Sequence, residues 1–372
     1  MAIRTITADH ANAFTLARQW LIAPAADIPS AAARLLCIQT QYDQSLYGSL
    51  ALRVAGISAH DVEHALFEQR SILKTWTVRS TLHTIHSKDL PLFTAAIGQD
   101  RAQSYQQQIA EWGNYSPEEL EQINQSILAA LSDGPRSRAE IHAATPLLQR
   151  LPHKGWGTDI KLLTYQGEVV FGYGKTFARR QHWLPNLEWN LPPAEQARQL
   201  LVKRYFSAYG PATMRDLAHW AGWKISVARQ QVAALKKALL PLHIADWPET
   251  AYILAEDEPT LNAIQPQDTP SLLLLPKFDV LAVSYRNKTR WLEAEHLPLI
   301  YRIAGQIEGS VLWHGRMIAA WRHQKHKNEL HLRIQPFKRI NKTQQRQLQR
   351  AAEQLARFYA CTDASLKIVD AL

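Results

Sequence analysis

The hydrophobic period of this chain switches repeatedly between about 3.6 and 2 residues, and that switch limits its possible folds more than any composition value does. From residue 6 to about 91 the apolar spacing is mostly helical. Thr7 or Asp9 can cap a first helix, Ser30 a second after Pro29, and Ser58 a third, with Asp61 three residues on as in a capping box. Residues 74–85, KTWTVRSTLHTI, then alternate in polarity and are rich in Thr, Trp, Val and Ile, which predicts a β-hairpin. Helices followed by a two-stranded ribbon describe a winged-helix unit.

The pattern recurs. Ser116 and Pro117 open a helix over ELEQINQSILAAL, two short helices are expected over 138–144 and 158–165, and residues 168–180 read as strand, glycine turn, strand. Lys175, Arg179 and Arg180 lie on the tip and outgoing strand of that second ribbon, where side chains can reach phosphates. A third helical set follows Pro192-Pro193, with AEQARQLLVKRYFSAY, a break at Gly210-Pro211, and two further helices. From about Ala251 the period turns to strands (AYIL, SLLLLPKFDVLAVSYRNKTRWL, SVLWHGRMIAAWRHQ, ELHLRIQPF), closed by a polar helix from Lys342 to about Tyr359. The expected class is therefore α+β: three tandem winged-helix units at 1–112, 113–191 and 192–250, then a small antiparallel β-barrel-like domain at 251–372. The repetition is one of architecture, not of fixed period.

Charge narrows the partners. Forty-two Lys+Arg against 33 Asp+Glu gives +9 and favours a polyanion, without separating DNA from RNA or a membrane surface. Two cysteines, Cys37 and Cys361, are too few for a disulfide framework or a metal site, and a reducing cytoplasm is expected. The start MAIRTITADH has no apolar signal core, and the longest aliphatic run, residues 272–275, is far short of a membrane span.

Chemistry centres on residues 35–48, LLCIQTQYDQSLYG. Gln39 and Gln41, two apart, face one side only where the backbone is extended, so the preceding helix must unwind there. Two readings stand: a carboxamide pair aimed into a cleft, or solvated glutamines at a helix end, since Gln-x-Gln is short and the chain also holds Gln106-Gln107-Gln108 and Gln344-Gln345. Asp43 either adds to the field of the pair or caps the helix from Ser45 onward.

Several ordered blocks together carry a resemblance. Gln39-Thr40-Gln41, Trp76 and Arg79 with Thr81-Leu82-His83, the run from Tyr165 to Gly172, and Leu275-Pro276-Lys277-Phe278-Asp279 followed by Tyr285-Arg286 are similar to the motifs of the AlkZ-like winged-helix DNA glycosylases, in their Gln-x-Gln branch. One departure is Ser80, where that family commonly has glycine. The resemblance implies a concave basic surface and monofunctional excision of bulky alkylated bases, with unhooking of interstrand crosslinks. It makes Gln39 and Gln41 the catalytic residues, with no metal or cofactor, and a monomer on double-stranded DNA is expected.

The residue type fits such chemistry. Glycosidases acting on neutral leaving groups use a carboxylic acid to protonate them. A purine alkylated at N7 or N3 already carries a positive charge and departs neutral, so uncharged amides that hold water and orient dipoles suffice. Arg79 and His83 are candidate DNA contacts, although a structural hydrogen-bonding role explains His83 equally. Trp156 beside Lys154 is a candidate stacking group, and Arg286, Lys288, Arg290 and Arg316 sit at or near turns of the last region as further DNA contacts. His314, His323, His326 and His331 read as a solvated basic face, and Lys236-Lys237, Arg333, Lys338 and Arg339 as surface charge. The competing reading is a non-catalytic winged-helix transcription regulator, separated from the enzyme by whether free base is released.

Overall fold

Local capping sets the first helices. The computed structural model describes residues 3–152 and 157–369. Thr7 accepts from the His10 N–H and opens helix Ala8–Arg18. Helix Ile28–Leu35 is capped by Asp27, not by the expected Ser30: the Asp27 carboxylate accepts from the Ser30 N–H at 2.7 Å, and Pro29 takes the first turn, where its missing N–H costs nothing. The Ser58–Asp61 box forms as expected, Asp61 accepting from the Ser58 N–H at 2.7 Å.

The chain divides into two compact units, residues 1–63 with 202–372, and residues 64–201. In the discontinuous unit, strand Arg4–Ile6 pairs in parallel with Leu239–Ile244, which pairs antiparallel with Ala251–Leu254, itself beside Ala212–Thr213. Thus the AYIL strand does not begin the C-terminal sheet. It returns onto Leu239–Ile244, a strand hidden from sequence reading because its LLPLHI follows directly on a helical pattern. Ile6, Phe14, Leu242, Ile244 and Ile253 bury the apolar side of this sheet.

The last region is an open sheet, not a closed barrel. Five strands, Leu272–Leu275, Gly309–Trp313, Arg316–His326, Glu329–Pro336 and Asp363–Ile368, lie in chain order, the first four antiparallel and the fifth parallel to the fourth. The parallel pair requires a crossover, and helix Lys342–Phe358 supplies it. Leu348, Ala352 and Ala356 of that helix pack on Leu330, Leu332 and Ile334, so the helix covers the apolar face that closure would otherwise have had to bury.

The 64–201 unit carries both predicted ribbons. Ile72–Trp76 pairs antiparallel with Leu82–His86. Val169–Phe171 pairs with Thr176–Arg179, which also takes Arg136–Ser137 on its other edge. Ser116 and Glu119 close a capping box on helix Pro117–Ala130. Ile123, Ile127, Ile141, Leu162, Val169 and Phe177 form its core. Among the described residues no helix is long and apolar enough to cross a membrane.

Candidate active site

Helix Ile28–Leu35 stops abruptly. Leu36 adopts φ +63, ψ −57, and the Cys37 N–H reaches back to the Leu35 carbonyl at 2.6 Å. This is a γ-turn of the rare, strained hand, centred on a leucine whose side chain is completely buried. The carbonyls released at the helix end are taken by side chains: Arg204 Nη2 donates to Ala33 at 2.6 Å, and the Tyr209 hydroxyl donates to Leu35. A helix ended this sharply leaves the next residues extended, and Ile38–Gln39 is a strand. The predicted unwinding therefore occurs, but it is brief. The chain bends at Gln41 and Tyr42 and enters helix Asp43–Ala51.

Gln39 is buried at 7 % exposure and Thr40 at 1 %, whereas Gln41 is exposed. Asp43 does not cap this helix. Tyr42 occupies the cap without a side-chain bond, and Asp43 is the first helical residue, where its carboxylate meets the positive end of the helix dipole.

Tyr42 is held on three sides. Its ring stacks on Phe278 (centroids 5.6 Å apart, 18° between planes), Lys277 Nζ lies 5.5 Å from its centroid, and its hydroxyl donates to Gln306 Oε1 at 3.0 Å. The Leu-Pro-Lys-Phe-Asp signature is positioned by its last member. Asp279, 1 % exposed, accepts from Arg53 through both oxygens (2.8 and 2.9 Å), from Ser49 Oγ at 3.2 Å and from the Leu281 N–H at 2.9 Å. Arg53 follows helix Asp43–Ala51, so this buried pair locks the signature to the helix that starts beside Gln41. Pro276 packs so closely that a Cβ at Gly48 would lie 2.9 Å from it. Tyr285 completes the set, donating from its hydroxyl to the Tyr209 carbonyl at 2.9 Å. Tyr42, Lys277, Arg53 and Asp279 were given no role in the sequence reading. The first adjoins the glutamine motif and two belong to the quoted signature, but the Arg53 pairing spans 226 residues and leaves no local trace.

Arg79 and His83 belong to the 64–201 unit. Arg79 and Ser80 both hold left-handed backbone, φ +51 and +55. Ser80 thus adopts the conformation that explains a glycine at this place in the family, and its hydroxyl accepts from Arg101 Nη1. His83 is fully buried and does not reach solvent. Its Nδ1 meets the Thr81 carbonyl at 3.0 Å, which requires the proton there and leaves Nε2 to accept from Arg79 Nη2 at 3.3 Å. Burial, then the Arg79 charge, holds its pKa well below 6.5, so the ring is neutral and positions Arg79. Beside them Lys161 Nζ lies 5.6, 5.7 and 6.0 Å from the rings of Trp76, Tyr105 and Tyr165, its pKa lowered by burial and by Arg101. No sequence pattern marks this lysine among aromatic rings, because its members come from three separate elements.

Lys175 is exposed at the turn of the second ribbon and Arg179 is half-buried. Arg180 is more committed: it stacks 3.8 Å from the Trp189 ring centroid and donates to the Gly167 carbonyl at 2.9 Å. In the other unit Arg286 and Arg316 are exposed, and Lys288 donates to the Ala282 carbonyl at 3.1 Å. Arg290 corrects the sequence reading. At 3 % exposure it is a core residue whose guanidinium donates to Asn12, the Pro211 carbonyl and Thr15 amid Tyr285, Trp247 and Trp291. Turn position suggested a surface cation, but four guanidinium hydrogen bonds to buried acceptors favour the interior. Lys154 and Trp156 lie outside the described residues. Among the described residues Glu293, Glu295 and His296 bring potential ligand atoms within 4.8 Å, but they already pair with one another and with Lys338.

The family model described as DNA glycosylase AlkZ-like matches residues 32–358. An interstrand DNA cross-link repair glycosylase of Streptomyces sahachiroi is 22% identical over 304 residues, covering 77% of this chain and 80% of that protein. The solved structure of Streptomyces sahachiroi DNA glycosylase AlkZ superposes with a TM-score of 0.82 at 21% identity, over 98% of this chain and 100% of that one. The chain belongs to the AlkZ-like DNA glycosylase family, an enzyme family of DNA repair.

Proposed function

We propose that this protein is a monofunctional glycosylase that excises purines made cationic by alkylation at N7 or N3, in base excision repair. The observation that carries this reading is the γ-turn at Leu36, which sets an uncharged amide pair, one buried and one exposed, at a break between two helices. In the proposed reaction Gln39 and Gln41 accept hydrogen bonds from one water and orient it toward the sugar C1′. The C1′–N bond breaks with its electron pair moving onto the base, which neutralises the alkyl-derived charge. The water oxygen then bonds C1′ and its proton passes to solvent. No step requires a general acid, and the amide dipoles act on the positive sugar.

The name of the Streptomyces relative supports crosslinks as substrates of this chain too. A crosslinked base cannot be fully extruded, so such a site has to meet it without enclosing it. We assign three winged-helix units to 1–112, 113–191 and 192–250, the first two each with helices preceding a ribbon, and a C-terminal sheet region to 251–372. Arg79, Lys175, Arg179, Arg180, Arg286, Lys288 and Arg316 are assigned phosphate contacts, and the protein works as a cytoplasmic monomer. The test is incubation with duplexes carrying N7-methylguanine or a nitrogen-mustard crosslink. Free base and an abasic site are expected. Replacing Gln39→Ala and Gln41→Ala together should cut single-turnover release by at least about 10²-fold while duplex affinity is retained. Loss of affinity with an unchanged rate at saturation would remove the catalytic assignment.

A further inference from the structure

The C-terminal sheet presents a cationic row on the face turned away from its helix. Along Glu329–Pro336 the residues Leu330, Leu332 and Ile334 are buried under helix Lys342–Phe358, so His331 and Arg333 face outward and are exposed. The register places Arg322 directly opposite Arg333, and Arg333 directly opposite Lys367. Like charges facing one another across adjacent strands are destabilising, and three in one row oppose folding. Glu308 relieves part of the repulsion, pairing with Arg322 through both oxygens (Nε to Oε2 at 2.9 Å, Nη2 to Oε1 at 2.5 Å), but the same carboxylate also serves Lys277 at 3.2 Å. Among the described residues neither Arg333 nor Lys367 has a carboxylate within 4 Å. The next row is Gln324, His331 and Ser365, all polar, with His331 Nδ1 2.6 Å from Ser365 Oγ and Nε2 3.4 Å from Glu329. The row beyond, His326, Glu329 and Asp363, carries the acids.

A groove of about 480 Å³ runs along the two inner rows and stops short of the acidic one. Its lining includes Arg322, Arg333 and Lys367 at one side and Lys277, Tyr42 and Gln44 at the other, so it opens beside the residue that follows Gln41. Three cations across three strands span roughly 10 Å, longer than one small anion and suited to an extended one. A concave cleft accepts a rod, whereas a membrane surface is flat.

Resting on the repair reading above, we propose that this row is a phosphodiester track. Arg322, Arg333 and Lys367 hold the backbone of the duplex on the side of the lesion that leads away from Gln41 and Tyr42. The strand-to-strand repulsion is relieved when phosphates enter.

The test uses the full chain and an undamaged duplex. The salt dependence of binding is measured for the wild type, for Arg333→Gln with Lys367→Gln, and for Lys325→Gln. Lys325 lies on the same strand as Arg322 but on the helix side, donating to the Tyr359 carbonyl at 2.9 Å. The double variant should lose about 1.8 from the slope of log K against log salt, with Lys325→Gln unchanged and Arg333→Lys close to wild type. An unchanged slope in the double variant, or an equal loss from Lys325→Gln, overturns the track. Base release from a duplex carrying N7-methylguanine is followed in parallel at saturating protein. A wild type that binds through this row yet releases no base defeats the repair reading and leaves the track standing.

Discussion

Gln39 and Gln41 illustrate how a residue's surroundings, more than its identity, decide what it can do. Two residues apart, one is buried and the other exposed, and neither titrates, so the proton traffic of this unit cannot pass through them. His83 is the converse, a titratable ring kept from titrating. Its folded pKa lies well below 6.5 while the unfolded ring takes a proton near 6.5. The stability it contributes is therefore complete above pH 6.5 and is lost as pH falls below it, because the unfolded state binds a proton that the folded state refuses. Chemical unfolding followed between pH 7.5 and 5.5 should show wild-type stability falling by up to about 1.4 kcal/mol per pH unit from this group. The slope should be shallower by that amount in His83→Asn. Equal slopes in the two proteins would mean that His83 is already protonated in the fold.

At the scale of elements, the Arg53–Asp279 pair does for the glutamine segment what no local sequence rule could. It ties a turn 226 residues away to the helix that begins next to Gln41, and through that turn it sets Lys277 and Phe278 against Tyr42. Removing one partner strands a buried charge, so Asp279→Ala should destabilise this unit by about 3–5 kcal/mol. Its hydrogen-exchange protection should fall first in helix Asp43–Ala51, and base release should fall with it. Full protection in that helix would show that the turn is held by packing alone. Elements with local signals were legible in the sequence: the Ser116 cap with Pro117 in the first turn, both ribbons, and helix Ala194–Tyr209 with its stop at Gly210. Elements whose identity depends on a distant partner were not. Leu239–Ile244 becomes a strand because Arg4–Ile6 and Ala251–Leu254 lie on either side of it, and the barrel expected at the C-terminus becomes an open sheet because its crossover helix covers the apolar face. The same holds for the site. Its glutamines were visible as a motif, whereas Arg290 was misread as a surface cation because nothing nearby in sequence reveals the acceptors that bury it.

For the molecule as a whole, the proposed function divides charge and chemistry between different residues, and that division can be measured. A net charge of +9 acts on any nucleic acid through many exposed lysines and arginines, without regard to what the bases carry. In the proposed reaction the amide pair acts only where the leaving base brings a positive charge of its own. Raising salt from 50 to 200 mM should therefore weaken duplex binding by about 10³–10⁵-fold if six to ten phosphates are engaged. The single-turnover rate of base release at saturating protein should stay the same, since salt screens the exposed cations and finds no charge to screen on the amide pair. A duplex carrying uracil, a neutral leaving base, should bind with the same salt slope as the alkylated one and release nothing. Release of uracil at a comparable rate would require an acid at the site, and the amide chemistry would then have to be replaced by proton transfer.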